Sequence, residues 1–449
     1  MQSKTIHVDF EKKNGRVKPL HAINGGPRSG GYNLPYDFSE EFSYLGVPMV
    51  RTVTPSGDYG YNQFVNVHCI FPDFDADETL EESYNFLPTD LYLASIKNTG
   101  AEIFFRLGES SEPYSRKLYT ACPENIEKWA RVCEHIIMHY NEGWANGFKL
   151  GIKYFEIWNA ADSAIGFSDE PRRFFELYRV TANHLRERFP KIRIGAYGAR
   201  GFYSLNRLDA TEEMKSYVPF MQQFFAYVSA PATAAPLDFF TWSCYAATPE
   251  ELAMHAKYAR TYLDNAGLRR TRSVICEYNL AKSSGMPNAL RPEAPIELGA
   301  TLILAQKSPL DMMMYSTADI YSADNALFSL DDHFTHRHYA SYRVMKYFSR
   351  LYKLGTVTET EDYRKEVYSL AALGAGEAGI LVVSKNYSGK IEILLKNSPY
   401  KTCSIYKISA GGTRGMGKEY KAENITVISN KINVPAERNE VYYVKLFNK

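Results

Sequence analysis

Eight short apolar runs recur along the first three quarters of the chain, and amphipathic segments lie between several of them. The runs are LHAIN (20–24), VPMVRTV (47–53), AEIFFRLG (101–108), KYFEIWN (153–159), IRIGAYG (192–198), DFFTWSCY (238–245), SVICEYN (273–279) and DMMMYS (311–316). The intervening segments include NIEKWARVCEHIIMHY (125–140), EPRRFFELYRVTANHLRERF (170–189) and ELAMHAKYARTYLDNAG (251–267). In the second of these, Phe174, Leu177, Val180 and Leu185 fall near one helical face while Arg and Glu fill the other. Eight strands alternating with helices predict an α/β fold, a (β/α)8 TIM barrel over residues 19–353. An open doubly wound sheet is the rival, and the absence of GxGxxG after the first run weighs against it.

Beyond LYKLG (351–355) the texture changes to short β-rich runs separated by Gly, Asn and Ser: VYSLAALG, GILVVSKNYSG, KIEILLKN, CSIYKIS, ITVIS and VYYVKLF. They predict an antiparallel accessory β-sandwich over 354–449. IHVDF, within residues 1–18, is expected to add a strand to it. A chain of 449 residues is the right size for a large barrel plus this smaller domain.

Charge is nearly balanced, 52 basic against 51 acidic residues, so electrostatics give no reason to expect nucleic acid or an anionic membrane as partner. No run of 18 apolar residues occurs and the first residues lack an apolar leader core, which with six scattered Cys predicts a cytoplasmic, reducing location. Aromatic residues make up 14%, with 34 Tyr; they suit sugar-stacking walls, although core filling accounts for most of them.

The C-terminal strand ends of a (β/α)8 barrel form its active face. Here they present Asn24, Arg51, Glu109, Asn159-Ala160, Gly198, Tyr245, Glu277-Tyr278-Asn279 and Ser316. Glu277 is the sharpest of these, because a carboxylate closing the apolar run SVIC must be paired or put to use. Strands four and seven face each other across such a mouth. Two carboxylates there would serve retaining glycoside hydrolysis, one attacking the anomeric carbon and one protonating the leaving oxygen. Strand four offers Ala160 where the second should stand. Glu156, three residues before Asn159, reads as a structural ion in the barrel wall.

EIWNAAD followed by ICEYN resembles the EIWNE and TEWN pair of glycoside hydrolase clan A, and in particular family 39, typified by β-xylosidases. IFPDFDAD and SYNF after strand two, GWANGF before strand four and DFFTWSCYA on strand six fit the same pattern. The resemblance implies a retaining, exo-acting glycosidase acting on an oligosaccharide or glycoside, without cofactor or metal, and often oligomeric. It implies Glu277 as nucleophile, Asn159 on the sugar 2-hydroxyl, and Arg51 and Tyr245 as groups that orient Glu277. Ala160 occupies the acid/base position, and an engineered Glu-to-Ala replacement is the expected origin. Restoring Glu there should then recover hydrolysis; a carbohydrate-binding pseudoenzyme would stay silent. His68, Asp73 and Asp75 are expected to line the sugar pocket, with Glu109, Ser243, Tyr278 and Tyr315 as further candidate contacts. Trp158 and Trp242 read either as core or as sugar platforms. Val53 and Ser243 stand where family members carry His, which points away from xylose and leaves α-L-iduronidase or arabinobiosidase specificities as alternatives.

Other patterns read as ordinary structure. GGTRGMGK (411–418) lacks the Ser or Thr and the following helix of a phosphate loop. DFDADE (73–78) has Glu78 where a calcium loop needs Gly. His135 and His139 share a helix face without a metalloprotease order, and His333, His336 and His338 cluster before the last helix, where a metal site is not expected. Met312–Met314 read as core.

Overall fold

The computed structural model describes residues 3–27, 37–53, 64–112, 115–281, 287–318, 326–330, 333, 335–361, 363, 366–409, 418–436 and 438–448. Residues 411–417 of the GGTRGMGK stretch lie outside them. Strand β1 (Ser3–Arg16) is followed by eight parallel strands that close into a barrel: β2 (Ala22–Asn24), β3 (Met49–Arg51), β4 (Glu102–Leu107), β5 (Tyr154–Ile157), β6 (Arg193–Ala199), β7 (Phe239–Ala246), β8 (Arg272–Leu280) and β9 (Met312–Tyr315). Each lies within one of the eight apolar runs, or overruns it by a residue at one end or, for β8, at both. β2 pairs with both β3 and β9, which closes the ring.

Alternate residues of each strand face the barrel interior. Ala22, Met49, Phe104, Tyr154, Phe239, Val274, Met312 and Met314 form one buried apolar layer there. One step towards the C-terminal ends, Asn24, Arg51, Arg106 and Glu156 are all buried. The interior thus passes from hydrocarbon to ions over a single pleat. The opposite strand faces, including Ile103, Phe105, Phe155, Ile157, Phe240, Ile275 and Met313, pack on the surrounding helices. Those helices begin where the sequence supplies caps: the side chains of Asn125, Thr211 and Thr248 accept the amides of Lys128, Met214 and Glu251.

A small hairpin, β10 (Phe328–Leu330) with β11 (His336–His338), precedes the last barrel helix, Ala340–Leu354. His336 and His338 both contact the buried Glu41 carboxylate, at 2.5 and 3.0 Å, and tie the hairpin to the helix Ser39–Leu45. His139 likewise bridges Asp90 and the Trp144 carbonyl, at 3.1 and 2.9 Å. The Asp73 and Asp77 carboxylates accept the amides of Asp75 and Thr79, so DFDADE is built from capped turns.

After the last helix come β12 (Thr356–Thr360), β13 (Val367–Leu373), β14 (Glu377–Ser384), β15 (Gly389–Lys396), β16 (Thr402–Ser409), β17 (Lys418–Thr426), β18 (Lys431–Ala436) and β19 (Glu440–Phe447). With β1 they make one curled nine-stranded sheet, in the order β17-β16-β19-β14-β13-β12-β1-β15-β18. β1 runs antiparallel to β12 but parallel to β15, so the sheet is mixed where an antiparallel sandwich was expected. Its concave face encloses Ile6, Val8, Ile380, Val382, Ile393 and Val444. Its other face sets Leu370, Leu381 and Val383 against the helices Ala294–Lys307 and Ala340–Leu354. Strands buried on both faces lose polar alternation, which is why VYSLAAL reads as a continuous apolar run. Among the described residues, no helix is long and apolar enough to cross a membrane.

Candidate active site at the barrel mouth

Arg51 is the hub of the mouth. It is fully buried at the end of β3. Its Nε donates to Glu156 Oε2 at 2.6 Å, Nη1 to Asn24 Oδ1 at 3.0 Å and to Glu277 Oε1 at 3.3 Å, and Nη2 to Asn159 Oδ1 at 2.7 Å. A guanidinium is the side chain whose fork can serve four acceptors at once. Burial opposes its charge, but Cys276, Glu156 and Glu277 outweigh that cost, and its pKa moves upward.

Glu277 is the only one of these carboxylates with appreciable solvent access, at 20% of its side chain. Tyr245 donates to its Oε2 at 3.2 Å, and burial followed by the nearby Glu277 raises the Tyr245 pKa. Ser316 Oγ lies 3.4 Å from the Tyr245 hydroxyl and accepts from Asn24 at 3.3 Å, and the Ser316 carbonyl accepts from Asn279 at 3.0 Å. The result is an oriented carboxylate, fixed by one cation and one phenol and open on one side. That is the state required of a nucleophile.

A bulge aims Glu277. Trp242 pairs with Ile275, yet Ser243 pairs with Glu277, so β8 carries one extra residue, Cys276. Val274 faces the interior and strict alternation would send Glu277 outward. The extra residue reverses the phase beyond it, bringing Glu277 to the mouth and Tyr278 to the helical layer. Tyr278 is thereby a correction, and so is Tyr315, which regular alternation from the interior Met312 and Met314 turns outward: both are buried, edge to face with rings 5.3 Å apart, in the core between barrel and helices. Trp242 packs into the core, whereas Trp158, equally buried, also lines the neighbouring cavity of His68 and Glu109. Each is fully buried, with Nε1 donating to the Gly166 carbonyl (2.8 Å) and to Ser273 Oγ (3.0 Å) respectively. Ser243 stays beside the site, opposite Glu277 in the ladder.

Asn159 and Ala160 follow β5. Gly198, at the end of β6, approaches them so closely that a Cβ there would lie 2.6 Å from Asn159 Oδ1 and 3.3 Å from the Ala160 amide. A side chain there would push Asn159 off Arg51, and the backbone at Gly198 is left-handed (φ 63°), so glycine suits the spot on both counts. Ala160 is 2% exposed and left-handed (φ 52°), and its own loop folds over it. Ser163 N donates to the Ala160 carbonyl at 3.0 Å, and a Cβ on Gly166 would come 2.9 Å from that of Ala160.

His68, Asp75 and Glu109 meet at a neighbouring cavity of about 530 Å³, lined also by Phe74, Tyr119 and Lys128. Arg51, Asn159, Tyr245 and Glu277 do not line it. His68 pairs with the buried Glu109 through its side chain and its amide, and its ring stacks on Tyr119 at 3.5 Å. Burial opposes the imidazolium, but Cys69 and Glu109 carry its pKa up to about 9. Burial raises Glu109. Asp73 is exposed and turns to its own loop rather than to this cavity.

Arg200 was absent from the strand-end reading. It stands two residues after Gly198, half-buried, with its guanidinium beside the Tyr217 hydroxyl and within electrostatic reach of Glu277 and Tyr245. The sequence signal was available, as the next charged residue after IRIGAYG. Asp162, two residues after Ala160, accepts the Arg200 amide at 2.9 and 3.2 Å, and burial pushes its pKa up to about 7. Among the described residues no group of three or more His, Cys, Asp and Glu side chains is arranged to hold a metal ion.

No protein-family model and no curated protein matches the sequence. Solved structures do resemble the fold. A glucosidase from Croceicoccus marinus superposes with a TM-score of 0.80 at 17% identity, over the whole of both chains. A GH39 β-xylosidase from Caulobacter crescentus gives 0.70 at 14% identity over 99% of this chain and 100% of its own. An α-L-arabinofuranosidase from Thermotoga maritima gives 0.69 at 12% identity over 99% of each. At these identities the likeness establishes the architecture: the chain has the fold of these barrel-plus-sheet proteins from end to end.

Proposed function

We propose that the chain is a retaining glycoside hydrolase of the clan A type in which Glu277 attacks the anomeric carbon. The observation that carries this reading is the Glu277 carboxylate, held by Arg51 and Tyr245 at the C-terminal mouth of the barrel with the Asn159 amide alongside. In the first step a Glu277 oxygen bonds to C1 and the leaving oxygen departs. In the second, water attacks C1 and frees the carboxylate, so the two displacements together retain configuration. Asn159, locked by Arg51, is the group for the sugar 2-hydroxyl. Position 160 is that of the acid/base, and its methyl group can neither donate nor take a proton. The reading is family 39-like and exo-acting, close to the β-xylosidases. Val53 and Ser243, where His is usual, favour a glycone other than xylose, and the arabinofuranosidase and glucosidase among the similar structures widen the panel to test.

The test is trapping. The protein is incubated with 2,4-dinitrophenyl 2-deoxy-2-fluoro-glycosides of xylose, glucose and arabinofuranose, and the labelled peptide is sequenced by mass spectrometry. A covalent sugar on Glu277 is expected for at least one glycone. With azide added, the parent aryl glycoside should give a glycosyl azide of retained configuration by NMR. An inverted product, or no label from any sugar, refutes the scheme.

A further inference from the structure

A nucleophile with a base and a carboxylate behind it lies outside the mouth. The six cysteines are free thiols; five are buried and Cys69 is partly exposed. Burial pushes each of those five up, away from the anion that reacts. Cys69 has different surroundings. Its Sγ lies 3.3 Å from Nε2 of His68, and Nδ1 of the same ring meets Glu109 Oε2. The His68 amide donates to the other Glu109 oxygen at 3.1 Å, so one carboxylate fixes both ring and backbone. Tyr119 stacks on the imidazole, with ring centres 3.5 Å apart and planes within 3°, and holds its plane. The order is thiol, imidazole, carboxylate: a third group orients the base that takes the nucleophile's proton. With Nδ1–H directed at Glu109, Nε2 is the nitrogen left to accept from sulfur.

His139 and His255 show what a histidine that only ties elements together looks like in this chain. The ring of His139 spans Asp90 and the Trp144 carbonyl, with no thiol on either nitrogen. His255 does face a thiol, Cys244 at 3.7 Å, but its other nitrogen meets the Asn206 amide oxygen at 2.6 Å, and both Cys244 and His255 are fully buried. His68 differs from both in having a thiol on one nitrogen, a carboxylate on the other and access to solvent. Burial opposes a proton on this ring, and Cys69 and Glu109 outweigh it. His68 and Glu109 also line the cavity of about 530 Å³, so there is room beside the ring for a second molecule.

We infer that Cys69 is an activated nucleophile that takes up low-molecular-weight disulfides as mixed disulfides, with His68 as its base and Glu109 positioning His68. This is independent of the glycosidase reading. The Sγ proton passes to His68 Nε2, and the Sγ electron pair attacks one sulfur of the disulfide. The new S–S bond forms as the old one breaks, and the departing thiolate takes the proton from Nε2. One thiol and one disulfide thus become a mixed disulfide and a small thiol, with no net oxidation. Charge develops on sulfur in this exchange, so the step needs no donors arranged for an oxyanion.

In the test, the native chain is incubated at pH 7 with hydroxyethyl disulfide, and the adduct is counted by intact mass and located by peptide mapping. One equivalent should add, on Cys69, about 10-fold faster than N-acetylcysteine reacts under the same conditions. That is the gain open to a thiol with a few per cent of anion at neutral pH, less the nucleophilicity lost on activation. His68→Gln should bring the rate down to that of N-acetylcysteine, and Cys69→Ser should take up no label. Glu109→Gln should fall between the native chain and His68→Gln. Glu109→Asp should keep more of the rate than Glu109→Gln, the reverse of what packing alone would give. A rate at Cys69 no greater than that of N-acetylcysteine would overturn the inference, and that comparison needs no variant to fold. So would a His68→Gln chain that reacts as fast as the native one, or label spread over several cysteines.

Discussion

Arg51→Met separates what the mouth needs in order to fold from what it needs in order to react. Arg51 makes four hydrogen bonds, two of them to the buried side chains of Asn24 and Glu156, and Glu156 Oε1 has no partner among the described residues. Removing the cation leaves Glu156 as an uncompensated buried charge beside Glu277, at a cost of about 3–5 kcal/mol. Replacing Glu156 alone strands Arg51 and should cost a similar amount. In Arg51→Met/Glu156→Met both charges go together, and hydrocarbon of comparable volume continues the apolar layer beneath. The double variant should be less destabilised than the sum of the singles by roughly 2–4 kcal/mol. All four Trp (129, 144, 158 and 242) lie in the barrel part of the chain, so urea unfolding followed by Trp fluorescence reports that part alone. Activity should not follow stability: without Arg51, Glu277 and Asn159 lose their common anchor, and fluorosugar labelling should stay abolished in the double variant. Additive losses in the cycle, or labelling restored together with stability, would refute the account of Arg51 as one ion serving two purposes.

Tyr245→Phe removes the 3.2 Å bond to Glu277 and should lower kcat/KM on aryl glycosides by about 10- to 100-fold, the worth of a hydrogen bond to a charged group, with little change in unfolding midpoint. His68 should titrate near 9 by NMR, and Glu109→Gln should bring it back towards its ordinary value. Because its folded pKa is raised, the stability this pair contributes is complete below the unfolded pKa of about 6.5 and is lost as pH rises through about 9; titration of His68 near 6.5 would exclude it. His21 behaves oppositely. Burial lowers it to about 3, so its contribution is intact above about 6.5 and fades as pH falls, by about 1.4 kcal/mol per pH unit. His21→Asn should flatten the acid limb of stability against pH by one proton's slope, measured by urea midpoints between pH 7 and 5.

The barrel was legible because its eight strands are apolar on both faces and short, and the amphipathic segments between several of them supply the helical period; an open doubly wound sheet would use the same signals and is set aside by the missing GxGxxG. The second region was legible only in part. Turn residues mark its strands, but pairing partners carry no local signal, and nothing in IHVDF says that β1 will lie parallel to β15 on one side and antiparallel to β12 on the other. Among site residues, those at the ends of regular strands were readable. Arg51 and Tyr245 needed only the rule that function sits at C-terminal strand ends.

The misreadings of Tyr278 and Tyr315 share one cause. Tyr278 and Tyr315 were drawn to the mouth by their nearness to Glu277 and to the end of β9, yet side-chain direction depends on phase rather than nearness. A single extra residue in β8 inverts the phase at Cys276, and a bulge has no sequence signature beyond the two apolar residues it looks like. The left-handed Trp158 breaks phase in the same manner at the end of β5, sending its indole outward to Trp129 and Phe167 while leaving Asn159 at the mouth. The two irregularities fall beside Glu277 and Asn159. Strict alternation would bury Glu277 among the helices as an unpaired ion, so the bulge is the condition for having a carboxylate at the mouth there at all. Deleting Cys276 is the direct check: restoring regular pairing should turn Glu277 out of the mouth and abolish fluorosugar labelling. A deletion variant that folds and still labels at Glu277 would show that the bulge is incidental.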